Sequence, residues 1–166
     1  MPNENAGKII LDACCGGRMF WFNKKHPDVL YVDSRIVPPT KLSNGATFSV
    51  SPDKVMDFRS LDLQDETFSL VVFDPPHVVN AGKASFLANK YGYLSKNTWK
   101  EDLRRGFSEC FRVLKPNGVL IFKWNECHIP LLDVLALTSI EPLFGNRGGR
   151  SYKTHWLCFM KLDASP

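Results

Sequence analysis

The chain has 166 residues, of which 44% are hydrophobic and 23% charged, and its formal net charge is +4. These values are typical of one folded domain with its own core and exclude a disordered chain, while the small positive charge fits a polyanionic partner without requiring one. No apolar run approaches the roughly 20 residues that cross a bilayer, and no basic stretch followed by an apolar one opens the chain. We therefore expect a cytoplasmic protein with no membrane partner, in which residues 1–166 form a single domain with its core at about 8–162.

Six apolar segments predict the strands of a sheet. In chain order they are residues 8–15, 28–33, 54–58, 69–74, 118–124 and 154–162. Most are continuously apolar rather than strictly alternating, which is typical of strands that are covered on both faces in a mostly parallel sheet. The crossover after the second segment contains Pro38, Pro39 and Pro52, and the next crossover is short. The pattern therefore predicts a doubly wound α/β fold in which some crossover helices are reduced.

One long helix is predicted between the fourth and fifth strands. Thr98 and Glu101 have the spacing of a capping box at its start. Its apolar face repeats every three or four residues, at Leu103, Phe107, Cys110, Phe111 and Leu114. The stretch "KPNG" (115–118) ends the helix. A second helix is predicted over residues 130–137.

The five cysteines argue against a disulfide framework, because their number is odd and Cys14 and Cys15 are adjacent. One alternative is a metal site formed by Cys14, Cys15, Cys127 and His128. The spacing of these residues matches no zinc pattern. We expect reduced thiols and no metal.

Acidic residues end four of the predicted strands: Asp12, Asp33, Asp57 and Asp74. In open α/β sheets, ligands bind in the crevice at the carboxyl ends of the strands. The four carboxylates therefore predict a ligand site at this edge of the sheet. The alternative for Asp33 and Asp57 is a solvated loop carboxylate, and the alternative for the motif at Asp74 is a stiff turn from strand to loop.

A turn of small residues, "ACCGG" (13–17), follows the first strand and lets the backbone approach a ligand closely. Arg18 follows only two glycines, so the three-glycine dinucleotide fingerprint is missing and a nicotinamide dehydrogenase fits poorly. Asp33 suits the two hydroxyls of a ribose. Asp57 could accept a hydrogen bond from an adenine amine, with Phe58 as an apolar wall.

At these residues the chain resembles the class I S-adenosylmethionine-dependent methyltransferases. The stretches "LDACCGG", "YVDSR" and "MDFRSLD" are similar to the first three motifs of that family, and "FRVLKPNGVLIFKW" is similar to the segment that leads into its fifth strand. The resemblance extends from about residue 8 to residue 161. It implies a Rossmann-like, mostly parallel sheet with an antiparallel C-terminal strand, and S-adenosyl-L-methionine as the cofactor.

The resemblance also implies cofactor-binding residues. The methionine end of the cofactor would be held by Asp12, Cys14, Cys15, Gly16 and Gly17. The ribose would be held by Asp33, and the adenine by Asp57 with Phe58. Arg18 stands where the family often has glycine, which is a departure from the motif.

The fourth strand ends in "DPPH", residues 74–77. Asp-Pro-Pro-aromatic is the signature of the branch of this family that methylates exocyclic amines of nucleobases. Asp74 and the carbonyl of Pro75 can each accept one N–H of such an amine, and together they stabilise the positive charge that develops on attack. Pro75 and Pro76 fix the backbone. His77 takes the place of the stacking aromatic residue, and it could either stack or transfer a proton.

A polar loop over residues 80–100 mixes lysines with aromatic residues, a pattern that suits a phosphate backbone with splayed bases. Its predicted substrate-binding residues are Lys83, Lys90, Tyr91 and Lys96. A solvated lid over the cofactor is an equal alternative. A glycine-rich hairpin (145–156) could add a weaker basic patch through Arg147, Arg150 and Lys153.

These observations lead to one hypothesis with two alternatives. We expect a methyltransferase acting on an exocyclic nitrogen of RNA or DNA, with adenine N6 favoured over cytosine N4. A cytosine C5 enzyme is disfavoured, because no cysteine nucleophile follows the fourth strand. An enzyme of the same fold that acts on a protein amide or a small molecule, or a non-catalytic nucleotide-binding module, remains open. Since the chain is short, loops, a homodimer or a partner must supply target recognition.

Overall fold

Among the residues that the structure describes, the core is a seven-stranded sheet, accompanied by a separate two-stranded hairpin and two helices. The computed structural model describes residues 7–41, 45–79, 92–146 and 153–162. The strands are β1 (Ile10–Asp12), β2 (Val29–Asp33), β3 (Val37–Lys41), β4 (Thr47–Val50), β5 (Lys54–Val55), β6 (Phe68–Phe73), β7 (Leu114–Asn125), β8 (Phe144–Gly145) and β9 (Thr154–Met160). The helices are α1 (Trp99–Val113) and α2 (Leu131–Leu135).

The order of strands in the large sheet is β5-β2-β1-β6-β7-β9-β8. The five strands from β5 to β7 are parallel, and β9 runs antiparallel to both β7 and β8. This confirms the predicted mostly parallel sheet with an antiparallel C-terminal strand. The direction of the strand order changes between β1 and β6, so the crevice expected for a ligand lies at the carboxyl ends of those two strands.

The crossovers on the β1 side of the sheet are reduced. The prolines and the short spacing predict this for the crossovers after β2 and β5, but no prediction covers the crossover after β1. Residues 13–28 after β1 and residues 56–67 after β5 form turns without a helix. Within the ranges described above, no helix is long and apolar enough to cross a membrane.

An aromatic cluster joins α1 to the sheet and forms the centre of the core. Phe107 of α1 packs 5.5 Å from Phe73 of β6 and 4.9 Å from Phe122 of β7, measured between ring centroids. Along β7, Phe122 and Trp124 are fully buried on the α1 face, while Lys123 between them points to the opposite face. The cluster fixes the position of the carboxyl ends of β6 and β7, because each buried aromatic side chain removes a large apolar area from water.

The start of α1 differs from the predicted capping box. The hydroxyl of Thr98 donates a hydrogen bond to Asp102 (2.8 Å) and makes no cap bond to the backbone, and Glu101 pairs with Arg104 instead. Asp102 is nearly buried and also holds Arg59 at 2.9 Å. The buried carboxylate of Asp102 therefore binds the hydroxyl of Thr98 in place of the backbone. The predicted apolar face of the helix is confirmed.

Two further elements have no counterpart among the predicted strands. The hairpin of β3 and β4 replaces a crossover helix after β2. Pro38 and Pro39 lie in the exposed strand β3, which has no second neighbouring strand among the described residues, so the N–H groups that proline lacks are not needed there. The short strand β8 pairs with β9 at the edge of the large sheet.

A glycine in α1 provides a test of this packing. A Cβ atom built on Gly106 would lie 2.6 Å from the ring of Phe73 and 2.7 Å from that of Phe58. Gly106→Ala should therefore lower the free energy of unfolding by about 1–2 kcal/mol through overpacking, although alanine gains about 1 kcal/mol in helix propensity. Ser108→Ala, at an exposed position of the same helix, is the control and should be neutral or slightly stabilising. Urea unfolding of both variants measures the difference, and a stabilised Gly106→Ala protein would contradict this packing.

Candidate active site

A pocket of about 220 Å³ opens at the carboxyl ends of the parallel strands. It brings together ten of the residues predicted from the sequence: Cys14, Cys15, Gly16, Gly17, Asp33, Phe58, Asp74, Pro75, Pro76 and His77. The rest of its lining is formed by Ala13, Met19, Phe20, Ser34, Arg35, Phe48 and Lys123. One pocket therefore joins the small-residue turn, the end of β2 and the "DPPH" segment.

The turn after β1 is shaped by its two glycines. Gly16 has a φ of 47°, in the left-handed region that favours glycine, and its N–H donates to Asp33 (3.0 Å). A Cβ atom on Gly17 would lie 3.0 Å from the ring of Phe48 in β4. The hairpin thus packs against the turn, and its Phe48 forms an aromatic wall of the pocket.

Asp12 lies beneath this turn and does not line the pocket. Its carboxylate is fully buried and accepts hydrogen bonds from the indole N–H of Trp21 (2.7 Å) and the N–H of Cys14 (3.3 Å). Burial raises the pKa of Asp12 to about 7, and the two hydrogen bonds oppose that rise. Asp12 therefore acts on the pocket through the backbone that it holds.

Asp33 lines the pocket with both carboxylate oxygens engaged. One oxygen accepts from the backbone N–H and Nε of Arg35, and the other from Arg35 Nη2 and Gly16. Arg35 Nη1 is buried and has no hydrogen-bond partner among the described residues. A ribose at Asp33 must therefore share the carboxylate with Arg35 or displace it.

Asp57 and Phe58 follow β5, and only one of them lines the pocket. Phe58 lines the pocket and packs 5.4 Å from Phe73. Asp57 is absent from the lining and is bound by Arg59, whose hydrogen bonds are the main cause of the lowered pKa of Asp57. Arg59 also reaches Asp102 of α1, so this acid belongs to an ion-pair network beside the pocket.

Asp74 forms an ion pair inside the pocket. Its Oδ2 lies 2.8 Å from Nζ of Lys123, and the two side chains are 19% and 25% exposed. Burial raises the pKa of Asp74, while the charge of Lys123 and its hydrogen bond lower it. The ammonium group also lies 5.7 Å from the centroid of Phe20 and 5.6 Å from that of Trp156. An ionised Asp74 in this pocket depends on Lys123.

The "DPPH" segment is tied to the loop after β7. The N–H of Val79 donates to Nδ1 of His128 (2.9 Å). The ring of His77 is edge-on to Trp124, with 6.4 Å between centroids. The pKa of His77 is lowered by burial and then by the charges of Lys123 and His128. His77 is therefore neutral at physiological pH and offers a flat ring.

The cysteines of the turn have the protonation expected of buried thiols. Burial raises the pKa of Cys15 to about 12 and that of Cys14 well above its ordinary value. All five cysteines are free. In the ranges described above, no three His, Cys, Asp or Glu side chains gather as a metal ion would require.

The predicted substrate-binding loop is described only in part. Lys96 is exposed before the start of α1, and Lys153 is exposed at the start of the last strand. The other residues of the two basic segments lie outside the described residues: Lys83, Lys90, Tyr91, Arg147 and Arg150.

Sequence reasoning missed several pocket residues. Lys123 was detectable as the one charged residue in the buried run "LIFKW" of β7. Phe48 comes from the hairpin that was not predicted, and Phe20 from a turn with no periodic pattern. Arg35 follows Asp33 by two residues, but its contact with that acid depends on the local turn and has no sequence signal.

Solved structures share this fold. The PH0226 protein of Pyrococcus horikoshii OT3 has a TM-score of 0.57 and 18% identity, over 92% of this chain and 81% of that chain. A SAM-dependent methyltransferase from Methanosarcina mazei has a TM-score of 0.51 and 16% identity, over 92% of both chains. A SAM-dependent methyltransferase of the DUF858 family from Leishmania major has a TM-score of 0.50 and 13% identity, over 96% of this chain and 67% of that chain.

No protein-family model and no curated protein matches the chain. At identities below 20%, the structural likeness establishes the Rossmann-like fold of S-adenosylmethionine-dependent methyltransferases. The activity has to be argued from the pocket.

The ion pair in the pocket gives a prediction that needs no substrate. In Lys123→Met the cation is removed, so the burial of Asp74 is unopposed and its pKa should rise further. The carboxylate then becomes protonated at a higher pH than in the wild type. NMR titration of protein with ¹³C-labelled aspartate carboxyls measures this shift, and Lys123→Arg should keep the pKa close to that of the wild type. An unchanged Asp74 pKa in Lys123→Met would show that the ion pair does not form in solution.

Proposed function

We propose that the protein transfers the methyl group of S-adenosyl-L-methionine to an exocyclic nitrogen of a nucleobase in RNA or DNA, with adenine N6 favoured over cytosine N4. The observation that carries this proposal is the position of Asp74, Pro75 and His77 in the same pocket as the glycine turn and Asp33. A strand end that served only as a stiff turn would not need an acid and a flat ring in the lining of the pocket.

The pocket fits the cofactor on three counts. A Cβ atom built on Gly16 would meet nothing within 4 Å, so the turn leaves open space on that side for the methionine end. Asp33 offers a buried carboxylate to the ribose hydroxyls, and Phe58 offers an apolar wall to the adenine. The bound cofactor would supply an electrophilic methyl group on a sulfonium centre.

The amine would be activated by groups of this chain. Lys123 bonds Oδ2 of Asp74, which leaves Oδ1 to accept one N–H of the amine. The carbonyl of Pro75 can accept the other N–H. Both acceptors become more effective as positive charge develops on the nitrogen, because a half-buried site screens that charge less than water does.

His77 has the role of a stacking platform in this proposal. Its lowered pKa keeps the imidazole neutral, so it adds no positive charge beside the nitrogen that becomes cationic. A flat neutral ring can lie against the target base and hold it in the plane that Asp74 requires.

The cofactor half of the proposal is tested by Asp33→Asn. The amide keeps the shape of the side chain but loses the charged acceptor of the ribose, so affinity for S-adenosylhomocysteine should fall by about 1.5–3 kcal/mol. Calorimetry measures the change, and thermal melting verifies the fold, since Asp33 also holds Gly16 and Arg35. Asp62→Asn is the exposed control. Unchanged affinity in a folded Asp33→Asn protein would remove Asp33 from the site.

The chemical half is tested by substituting Asp74. Asp74→Ala should lower the single-turnover rate of methyl transfer roughly a hundredfold or more, by analogy with the loss of one group that stabilises a developing charge. Cofactor affinity should change little, because the contact matters chiefly in the transition state. Asp74→Asn, which keeps a neutral acceptor, should be intermediate.

The acceptor is identified first with labelled S-adenosylmethionine on rRNA, tRNA and genomic DNA, and with protein and small-molecule extracts as the competing substrate classes. Label that enters only protein or small molecules would replace the nucleobase proposal with the alternative of the same fold. Wild-type turnover by Asp74→Ala would refute the role given to "DPPH".

A further inference from the structure

A second concave site adjoins the pocket on the other side of the glycine turn. This groove has a volume of about 600 Å³, and Gly16 and Gly17 line both it and the pocket. Its other walls come from the turn before β2 and from residues 49–53 after the hairpin. A chain lying in the groove would therefore pass directly beside the proposed reaction centre.

The groove is strongly basic. It is lined by Lys8, Arg18, Lys24 and Lys25, and by the carboxylate of Asp53 alone, which Arg18 holds at 2.9 Å. Lys24 and Lys25 are exposed, and in the described part of the chain neither side chain has an ion-pair partner. Clustered cations without counter-charges attract a polyanion.

The walls of the groove are held in place by Arg18, the residue that departs from the family motif. Its guanidinium donates to the carbonyls of Lys24 (2.7 Å) and Ser51 (2.8 Å) and lies 3.7 Å above the ring of Tyr31. The hydroxyl of Tyr31 donates to the carbonyl of Asn23 (3.1 Å). The turn that carries the lysines is thereby fixed without a helix, and the cations are preorganised.

In the sequence, one exposed aromatic residue lies between Phe20, which lines the pocket, and Lys24, which lines the groove. Phe22 is fully exposed, whereas Phe20, two residues before it, lines the pocket. Leaving a phenylalanine in water forgoes the stabilisation that burial would bring. Phe22 precedes Lys24 by two residues, and an exposed aromatic ring followed closely by unpaired lysines suits single-stranded nucleic acid, because bases stack on such a ring while phosphates bind the cations.

We propose that this groove binds the phosphate backbone of a single-stranded nucleic acid through Lys24 and Lys25, while Phe22 stacks on a base next to the one that enters the pocket. The inference rests on the proposed function for the position of the target base. It assigns target recognition to a described segment of the chain, separate from the lysines of the 80–100 loop.

The experiment measures the binding of a fluorescent single-stranded oligonucleotide of about 12 residues by anisotropy over a series of salt concentrations, with cofactor absent. Lys24→Glu/Lys25→Glu should weaken binding about tenfold or more and reduce the salt slope by about 0.7 for each phosphate that the variant no longer neutralises. Arg104→Glu/Lys115→Glu, at exposed positions on α1 and at the start of β7, has the same charge change and should keep the slope. Phe22→Ala should weaken binding roughly 5- to 100-fold at an unchanged slope.

Equal reductions of affinity in the two double variants would overturn the proposal, because they would reflect net charge alone. Full displacement of the oligonucleotide by inorganic phosphate at equal concentration would also overturn it and make the groove a small-anion site. Calorimetry with S-adenosylhomocysteine on the same variants should give unchanged affinity. The binding assay does not depend on methyl transfer. Oligonucleotide binding without turnover would therefore contradict the proposed function but not the proposed groove. Turnover with oligonucleotide binding that does not depend on the groove would contradict the proposed groove but not the proposed function.

Discussion

The contacts of Arg18 hold together a part of the molecule that has no crossover helix to support it. One guanidinium joins the carbonyls of Lys24 and Ser51, the carboxylate of Asp53 and the face of Tyr31. Its side chain is only 14% exposed, so these bonds form where water competes little. The glycine turn, the end of the hairpin and the strand β2 all meet at this residue. Both the pocket and the basic groove therefore depend on it, and substitution by the glycine common in the family motif would free the backbone but remove the anchor.

The pocket contains a second charged contact, the ion pair of Asp74 and Lys123, which sets the charge of an acid rather than the position of the backbone. Burying Asp74 costs free energy, and the neighbouring Lys123 offsets part of that cost, because an ion pair in a partly dry site is stronger than one in water. The pair uses Oδ2 of Asp74, and the proposed activation of an amine uses Oδ1. The rings of Phe20 and Trp156 pack against each other and lie within 6 Å of the ammonium group, where they add to its stabilisation. Lys123 thus favours the ionised form of Asp74 where burial favours the protonated form.

The sequence was informative wherever one physical signal dominated. Continuous apolar runs predicted the main strands, and the three-to-four-residue repeat predicted α1, because burial decides both. Ten pocket residues followed from their position after strand ends. The failures have competing causes. The hydroxyl of Thr98 turned to the buried Asp102, which also holds the Arg59 that engages Asp57. The hairpin that carries Phe48 contains prolines, which in the sequence indicate a broken crossover. The contact of Lys123 with Asp74 joins residues 49 positions apart, so no local sequence pattern predicts it.

The central claim is that one pocket binds the cofactor with its reactive end toward Asp74. A crystal structure with bound S-adenosylhomocysteine tests it most directly. The account predicts ribose hydroxyls at Asp33, adenine against Phe58, and the sulfur atom facing Asp74 and Pro75. A ligand bound outside the pocket, or one whose adenine end lies against Asp74 while its sulfur faces Phe58, would contradict it.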